Sequence, residues 1–317
     1  MLGKFLITIL LIFEPLIFSV EPVQQPLPIE APVEEEIGKQ HLSSISSLWF
    51  SNPNFLPMRD WGIDDPEIAA EAALVSNLAD EPSLLSKNKI LYQKNIDDVF
   101  PIASLTKLMT AVVVLENINL SEEVIISENA LSAYGDKGGL VIGEKITVEN
   151  LLYALLVESS NDAAVALAEA VQVKTGNDFV WLMNEKAKSL NLGKTNFTDS
   201  SGYQADNVST VGDLSELVKY VFKYPLIWQI TRTPAIDLSS IDGEIKHHWI
   251  STNELLGNLP NIIGGKTGYT QEAQGCFILI TQQLEKDYLI TIILGAEERF
   301  AEAKKLVEWA GEAYRWE

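Results

Sequence analysis

Between residues 101 and 115 the apolar positions fall at Leu105, Leu108, Met109, Val112 and Val113, the spacing of one helical face. This predicts a single helix over 101–115, with Pro101 at its non-helical entry or in its first turn, where a missing N–H costs nothing. Apolar runs of strand length at 70–76 and 89–93 predict a strand pair joined by a polar connection at 79–88. Short strand signals follow at 124–126 and 140–146, with glycines between them. Helical periodicity then covers 147–156, 163–173, 178–190 and 211–224. The sequence Glu158-Ser-Ser-Asn-Asp162 interrupts it, and such residues serve as caps and turns, so Ser159–Asn161 is expected at a corner between two helices. In the last third, strands are expected at 235–238, 244–250, 276–282 and 288–294, with residues 285–287 as the turn between the last two. An amphipathic helix over 297–316 closes the chain, with Phe300, Leu306, Trp309 and Ala313 on its apolar side. Strands from both ends thus flank a helical middle. The expected fold class is α/β (α+β): an antiparallel sheet flanked by helices, with an inserted all-helical subdomain.

The first 44 residues differ in kind. Lys4 precedes an apolar run over residues 5–20 that Glu14-Pro15 breaks, as in a signal peptide or an N-terminal membrane anchor. Residues 21–44 carry Pro22, Pro26, Pro28, Pro32 and three consecutive glutamates, the composition of an extended tether. Residues 45–317 are expected to form one catalytic domain without a further C-terminal β domain.

Charge narrows the partners. A formal net charge of −21 over 317 residues argues against nucleic acid, whose phosphates a basic patch must attract. The one cysteine, Cys276, excludes an internal disulfide and lies in an apolar run where an inert core thiol is expected. His247 and His248 are sequence neighbours and point apart on a strand, so they are not expected to chelate together.

Chemistry concentrates around the first helix. From Ser104 to Leu115 the only charged residue is Lys107, three positions from Ser104 and on the same face. A lysine in a helix apolar all round is expected to be desolvated, which favours the neutral amine, and a neutral amine can take a proton from a serine. The alternative is a lysine that reaches from a core helix to solvent. Ser159-x-Asn161 and Lys266-Thr-Gly268 complete a trio of short motifs, each of which has decoys. Ser86-x-x-Lys89, Ser127-x-Asn129, Ser251-x-Asn253 and Lys174-Thr-Gly176 match the same patterns. Context separates them: Ser86 follows Pro82 in a polar stretch, and Gly176 ends a helix as a C-cap. Lys266-Thr-Gly268 instead leads into an apolar strand whose edge can pair with an extended peptide.

In their longer strings, Ala-Ser104-Leu-Thr-Lys-Leu-Met-Thr, Glu-Ser159-Ser-Asn-Asp-Ala-Ala and Gly-Gly-Lys266-Thr-Gly-Tyr-Thr, the sequence resembles the serine D-alanyl-D-alanine carboxypeptidases, the low-molecular-mass penicillin-binding proteins. The likeness runs from about residue 70 to about residue 314. It implies that Ser104 forms an acyl-enzyme with the penultimate D-alanine, with Lys107 as base and Ser159 relaying a proton to the leaving D-alanine. Asn161 would hold the substrate amide and Lys107, and Lys266 and Thr267 the terminal carboxylate. Gly268 would let the strand approach, and the N–H groups of Ser104 and Tyr269 would form the oxyanion hole. The implied partners are peptidoglycan stem peptides ending in D-Ala-D-Ala, with β-lactams as covalent inhibitors. No metal or organic cofactor is implied, and the implied location is the extracytoplasmic cell-wall face. Three alternatives use the same groups: a D,D-endopeptidase on cross-links, a serine β-lactamase and a non-catalytic penicillin-binding sensor. Class A β-lactamases place a glutamate between the second and third motifs, where the loop 196–207 offers only Asp199 and Asp206. Tyr203 stands where relatives often carry leucine.

Overall fold

The computed structural model describes residues 57–79, 89–284 and 287–316. The expectations for residues 1–20 and 21–44, the 79–88 connection beyond Ala79 and before Lys89, the turn residues 285–286, and the decoy Ser86 lie outside the described residues.

A five-stranded antiparallel sheet organises the body, in the order Ile262–Thr270, Gln274–Leu284, Asp287–Ala296, Ala72–Ala79, Ile90–Lys94. Its central strands read as unbroken apolar runs because both faces are covered. Strand alternation sends Leu74, Ile278, Ile280, Ile290 and Ile292 into one core and Val75, Phe277, Leu279, Leu289 and Ile293 into the other. The first core is shared with the helix Thr106–Asn117 and the all-helical region, the second with the closing helix Arg299–Ala313. The expected mixed fold is the observed one. Cys276 is fully buried, and burial pushes its thiol pKa up to about 12, so it packs as an inert apolar group.

Several boundaries differ from the sequence reading; the strand expected over 140–146 is confined to Lys145–Thr147. The first helix does not open at Pro101. Phe100–Pro101 is a short strand paired with Val208–Ser209, Ala103–Leu105 is a 3₁₀ turn, and the α-helix begins at Thr106. The helix expected over 211–224 stops at Val221, and Pro225 starts a separate helix, Pro225–Thr231. Proline lacks the N–H that a continuing helix needs but suits a first turn. The closing helix ends at Ala313, because Tyr314 turns extended and pairs with Arg59, tying the two ends of the body together.

Most helix starts are written locally. Thr147, Ser160, Asp178 and Thr210 each accept an N–H three residues on, which satisfies a donor the helix leaves orphaned. Two decoy motifs are spent this way. Ser127 caps the short helix Glu128–Leu131, and Gly176 ends Asn161–Thr175 with φ +71°.

Candidate active site

Ser104 sits in the 3₁₀ turn directly ahead of the α-helix, one step after Ala103, whose φ of +46° lies in the left-handed region. Lys107 follows in the first helical turn and is completely buried. Its Nζ lies 2.9 Å from Ser104 Oγ, 2.6 Å from Asn161 Oδ1 and 2.7 Å from the Ser201 carbonyl oxygen. Two of these oxygens can only accept. A neutral amine donates to both and keeps its lone pair for the Ser104 hydroxyl proton, which is the arrangement of a poised base. Burial brings the Lys107 pKa down to about 7, opposed by the charges of Asp199, Asp136 and Asp162.

The corner between the helices Val148–Leu156 and Asn161–Thr175 presents the second motif. Ser159 turns that corner with φ +66°. Asn161 is fixed on both sides: its backbone N–H donates to the Asp136 carbonyl at 2.8 Å and its Nδ2 to the Tyr134 carbonyl at 2.7 Å. Asp162 accepts from Ser160 Oγ and from the Gly138 and Ala163 N–H groups, so it braces the corner and is not a catalyst. Glu158 is half-buried, and burial raises its carboxyl above the ordinary range.

The third motif lies on the edge strand Ile262–Thr270. Lys266 is buried and donates to Ser159 Oγ at 2.7 Å and to the Thr267 carbonyl at 2.9 Å. Burial first, and then the charges of Lys107 and Arg299, hold its pKa well below the usual lysine range. Thr267 Oγ1 meets Thr252 Oγ1 at 2.5 Å. Gly268 is glycine for want of space, since a Cβ there would lie 3.0 Å from the Ser104 nitrogen. The Tyr269 side chain points outward and is 62% exposed. Of the eight residues singled out from the sequence, Ser104, Asn161 and Tyr269 line one cleft of about 390 Å³ together with Tyr203, while Lys107 bonds to Ser104, Ser159 to Lys266, Thr267 shares the strand of Lys266 and Gly268 lies against Ser104.

Two contacts were not read from the sequence, those of the Ser201 carbonyl and of Arg299, while Asp199 and Tyr203 were named there without these partners. The loop 199–204 supplies the Ser201 carbonyl to Lys107 and is folded around Asp199, which accepts N–H bonds from Ser201, Gly202 and Gln204. Burial raises the Asp199 pKa, but these bonds outweigh it and leave the carboxyl low. Asp199 is thus a staple for the loop, not a water activator. Tyr203 stacks on Tyr134, with ring centroids 5.8 Å apart, at the cleft rim. Arg299 is half-buried with Nη1 3.4 Å from the Gly268 carbonyl, and its buried Nε has no hydrogen-bond partner among the described residues. A signal for it existed: a cation in the first turn of a helix opposes the dipole and needs another reason to be there. Among the other matches, Ser251-x-Asn253 folds its own turn, with Asn253 N–H donating to Ser251 Oγ.

Gly202 marks how tightly the loop is seated. It holds φ +81°, and a Cβ would come within 1.9 Å of the Ala103 carbonyl oxygen. Gly202→Ala is expected to lower stability by about 3 kcal/mol and to displace the Ser201 carbonyl from Lys107. Chemical denaturation checks the first effect; an unchanged midpoint would contradict this seating.

An antiparallel sheet with an inserted helical region, and a Ser–Lys pair facing a Lys-Thr-Gly edge strand, define a serine hydrolase of the penicillin-binding-protein type. The sequence profile of Peptidase_S11, D-alanyl-D-alanine carboxypeptidase, matches residues 62–298. The chain belongs to this family. It is 34% identical over 237 residues to the D-alanyl-D-alanine carboxypeptidase DacF of Bacillus subtilis (strain 168), a match covering 71% of this chain and 60% of the relative. It is 33% identical to a D-alanyl-D-alanine endopeptidase of Pseudomonas aeruginosa, covering 77% of each. The crystal structure of the Streptomyces K15 DD-transpeptidase superposes with TM-score 0.69 at 29% identity, covering 78% of this chain and 98% of that one. A D-alanyl-D-alanine carboxypeptidase from Mycobacterium tuberculosis H37Rv gives TM-score 0.69 at 27% identity, covering 80% and 95%.

Proposed function

We propose that this protein hydrolyses the terminal D-Ala–D-Ala bond of peptidoglycan stem peptides through an acyl-enzyme on Ser104. The observation that carries this reading is the three-way coordination of the buried Lys107 amine by Ser104, Asn161 and Ser201. Lys107 takes the hydroxyl proton as Ser104 Oγ attacks the carbonyl carbon of the penultimate D-alanine. The developing oxyanion faces the N–H groups of Ser104 and Tyr269. The C–N bond then breaks as Ser159, bonded to Lys266, gives its proton to the departing D-alanine nitrogen and regains one from the Lys107 ammonium, which leaves the amine neutral again. Water attacks the ester, restores Ser104 and releases the shortened peptide.

The substrate carboxylate has two cations to meet. The partners of Lys266 within the fold are neutral oxygens, so an incoming carboxylate supplies the counter-charge that this buried amine lacks. Arg299 lies on the far side of Gly268 with donors to spare. β-Lactams, which present a carboxylate beside a strained amide, would acylate the same hydroxyl. Residues 1–20 would direct the chain to the cell-wall face, as a signal peptide or as a membrane anchor. Among the described residues no helix is long and apolar enough to cross a membrane.

The test is direct. Given a D-Ala-D-Ala pentapeptide the protein should release D-alanine, and a labelled penicillin should mark the peptide containing Ser104. Label on any other residue would overturn the assignment. The endopeptidase relative at 33% identity favours a second reading, the same chemistry on cross-linked dimers. Faster cleavage of a cross-linked dimer than of the pentapeptide would select it.

A further inference from the structure

Outside the eight motif residues, one buried polar cluster belongs to a hairpin that the chemistry above does not use. The strands Ala235–Ser239 and Lys246–Ile250 pair only with each other among the described residues. A lone two-stranded hairpin is marginal in water, so its buried row must be held by something else. That row is His247 and Trp249, while Lys246, His248 and Ile250 face solvent. The two buried rings stack, with centroids 4.9 Å apart and planes 13° from parallel.

Both rings grip the loop 134–144. His247 Nε2 lies 2.6 Å from Glu144 Oε1, with both side chains almost fully buried, and the other oxygen of Glu144 accepts the Val141 N–H. Trp249 Nε1 donates to the Gly138 carbonyl at 2.8 Å, and the Gly138 N–H in turn donates to Asp162. The same loop supplies the Tyr134 and Asp136 carbonyls that hold Asn161, and Asn161 holds Lys107. Just past the hairpin, Thr252 donates its N–H to the Val157 carbonyl and meets Thr267 through its hydroxyl. One hairpin therefore reaches the second motif through the loop and the third motif through Thr252.

We propose that the 235–250 hairpin is a positioning strut, in which His247 and Trp249 hold the loop 134–144 so that Asn161 stays aligned on Lys107 and water is kept from the amine. These residues touch neither substrate nor Ser104; they act through Asn161. The proposal rests on the acyl-enzyme reading above. The charged groups facing Lys107 are Asp199, Asp136, Asp162 and Lys266, and those near His247 are Glu144 and Glu158. Trp249 carries no charge, so through it the strut controls hydration and alignment, whereas His247 also acts on the Glu158 carboxyl.

The experiment compares the full chain with Trp249→Phe, which removes one N–H and keeps an aromatic ring, and with His247→Phe and His247→Gln. His248→Ala, on the solvent face, serves as control. Two readouts are taken: acylation by a labelled penicillin across the pH limb near 7, and amide hydrogen exchange over 134–144. Trp249→Phe and His247→Phe are expected to slow acylation about 10- to 100-fold, the cost of a small misalignment at a reacting centre. Their acid limb should move to higher pH, because a hydrated amine regains its basicity. Exchange should quicken in the loop alone, His247→Gln should recover part of the loss, and His248→Ala should match the parent. Slowing by one factor at every pH, or unchanged loop exchange in Trp249→Phe, overturns the strut. Should His247→Phe fail to fold, Trp249→Phe decides. A parent that takes no label refutes the acyl-enzyme reading instead, and loop exchange in Trp249→Phe then judges the strut alone.

Discussion

Ser104→Ala is expected to lower D-alanine release by roughly 10⁴-fold or more and to abolish covalent labelling by penicillin. Among the described residues it is the only hydroxyl that lines the cleft and hydrogen-bonds to the buried amine, at 2.9 Å. Two other hydroxyls nearby are occupied or misplaced. Ser159 Oγ is taken by Lys266, and Thr106 Oγ1 is buried without a partner, close to where a Gly202 side chain would lie. Removing the Ser104 hydroxyl takes one donor from Lys107 and leaves the amine its other two partners, so stability should change by no more than about 1 kcal/mol. The measurement pairs activity with a denaturation midpoint. Loss of activity with an intact midpoint supports a nucleophile, whereas a mutant that releases D-alanine like its parent places the chemistry elsewhere.

Lys107→Met should cost roughly 10³-fold in the acylation rate, within the range expected for removal of a positioned general base. Methionine matches the length and the apolar surroundings, so the change isolates the amine. It also leaves Asn161 Oδ1 and the Ser201 carbonyl without their donor, at about 1–3 kcal/mol of stability for each. The pH dependence gives the sharper signature. The reactive form is the unprotonated amine, so with a pKa of about 7 the parent rate should fall on acidification, about 100-fold by pH 5. In Lys107→Met that limb should vanish. Stability follows the same proton: the unfolded chain holds it up to about pH 10.4 and the folded chain only to about 7. The unfolded state therefore binds more protons across that window, and the contribution of Lys107 to stability rises with pH there. A parent profile flat from about pH 5 to about pH 9 would show that another group takes the proton.

How much was legible differs from element to element. The central strands, the corner at Ser159–Asn161 and the helix after Ser104 could be read because each is written in its own stretch of chain: alternation, caps and 3.6-residue spacing. Tyr314 could not be read as the end of the closing helix, because its extended turn is set by pairing with Arg59 at the other end of the body. The helix Pro225–Thr231 is of another kind, since its start is written locally by a proline suited to a first turn. Arg299 and the hairpin row of His247 and Trp249 matter through what they touch across the fold, Gly268 in one case and the loop 134–144 in the other. The decoys show the same limit. Ser127-x-Asn129 and Lys174-Thr-Gly176 satisfy the patterns and are a helix cap and a helix end.

The sequence alone determined which groups this chain brings to its chemistry: one serine and one lysine a helical turn apart, a Ser-x-Asn corner, and a Lys-Thr-Gly strand with a glycine where backbone must come close. Tertiary structure decided that the lysine is placed where it could serve as a base. Burial lowers its pKa, and two acceptors from chain segments 54 and 94 residues away, the Asn161 amide and the Ser201 carbonyl, orient the amine. Desolvation and hydrogen-bond geometry belong to the atoms that surround a side chain, and spacing along the chain does not specify those.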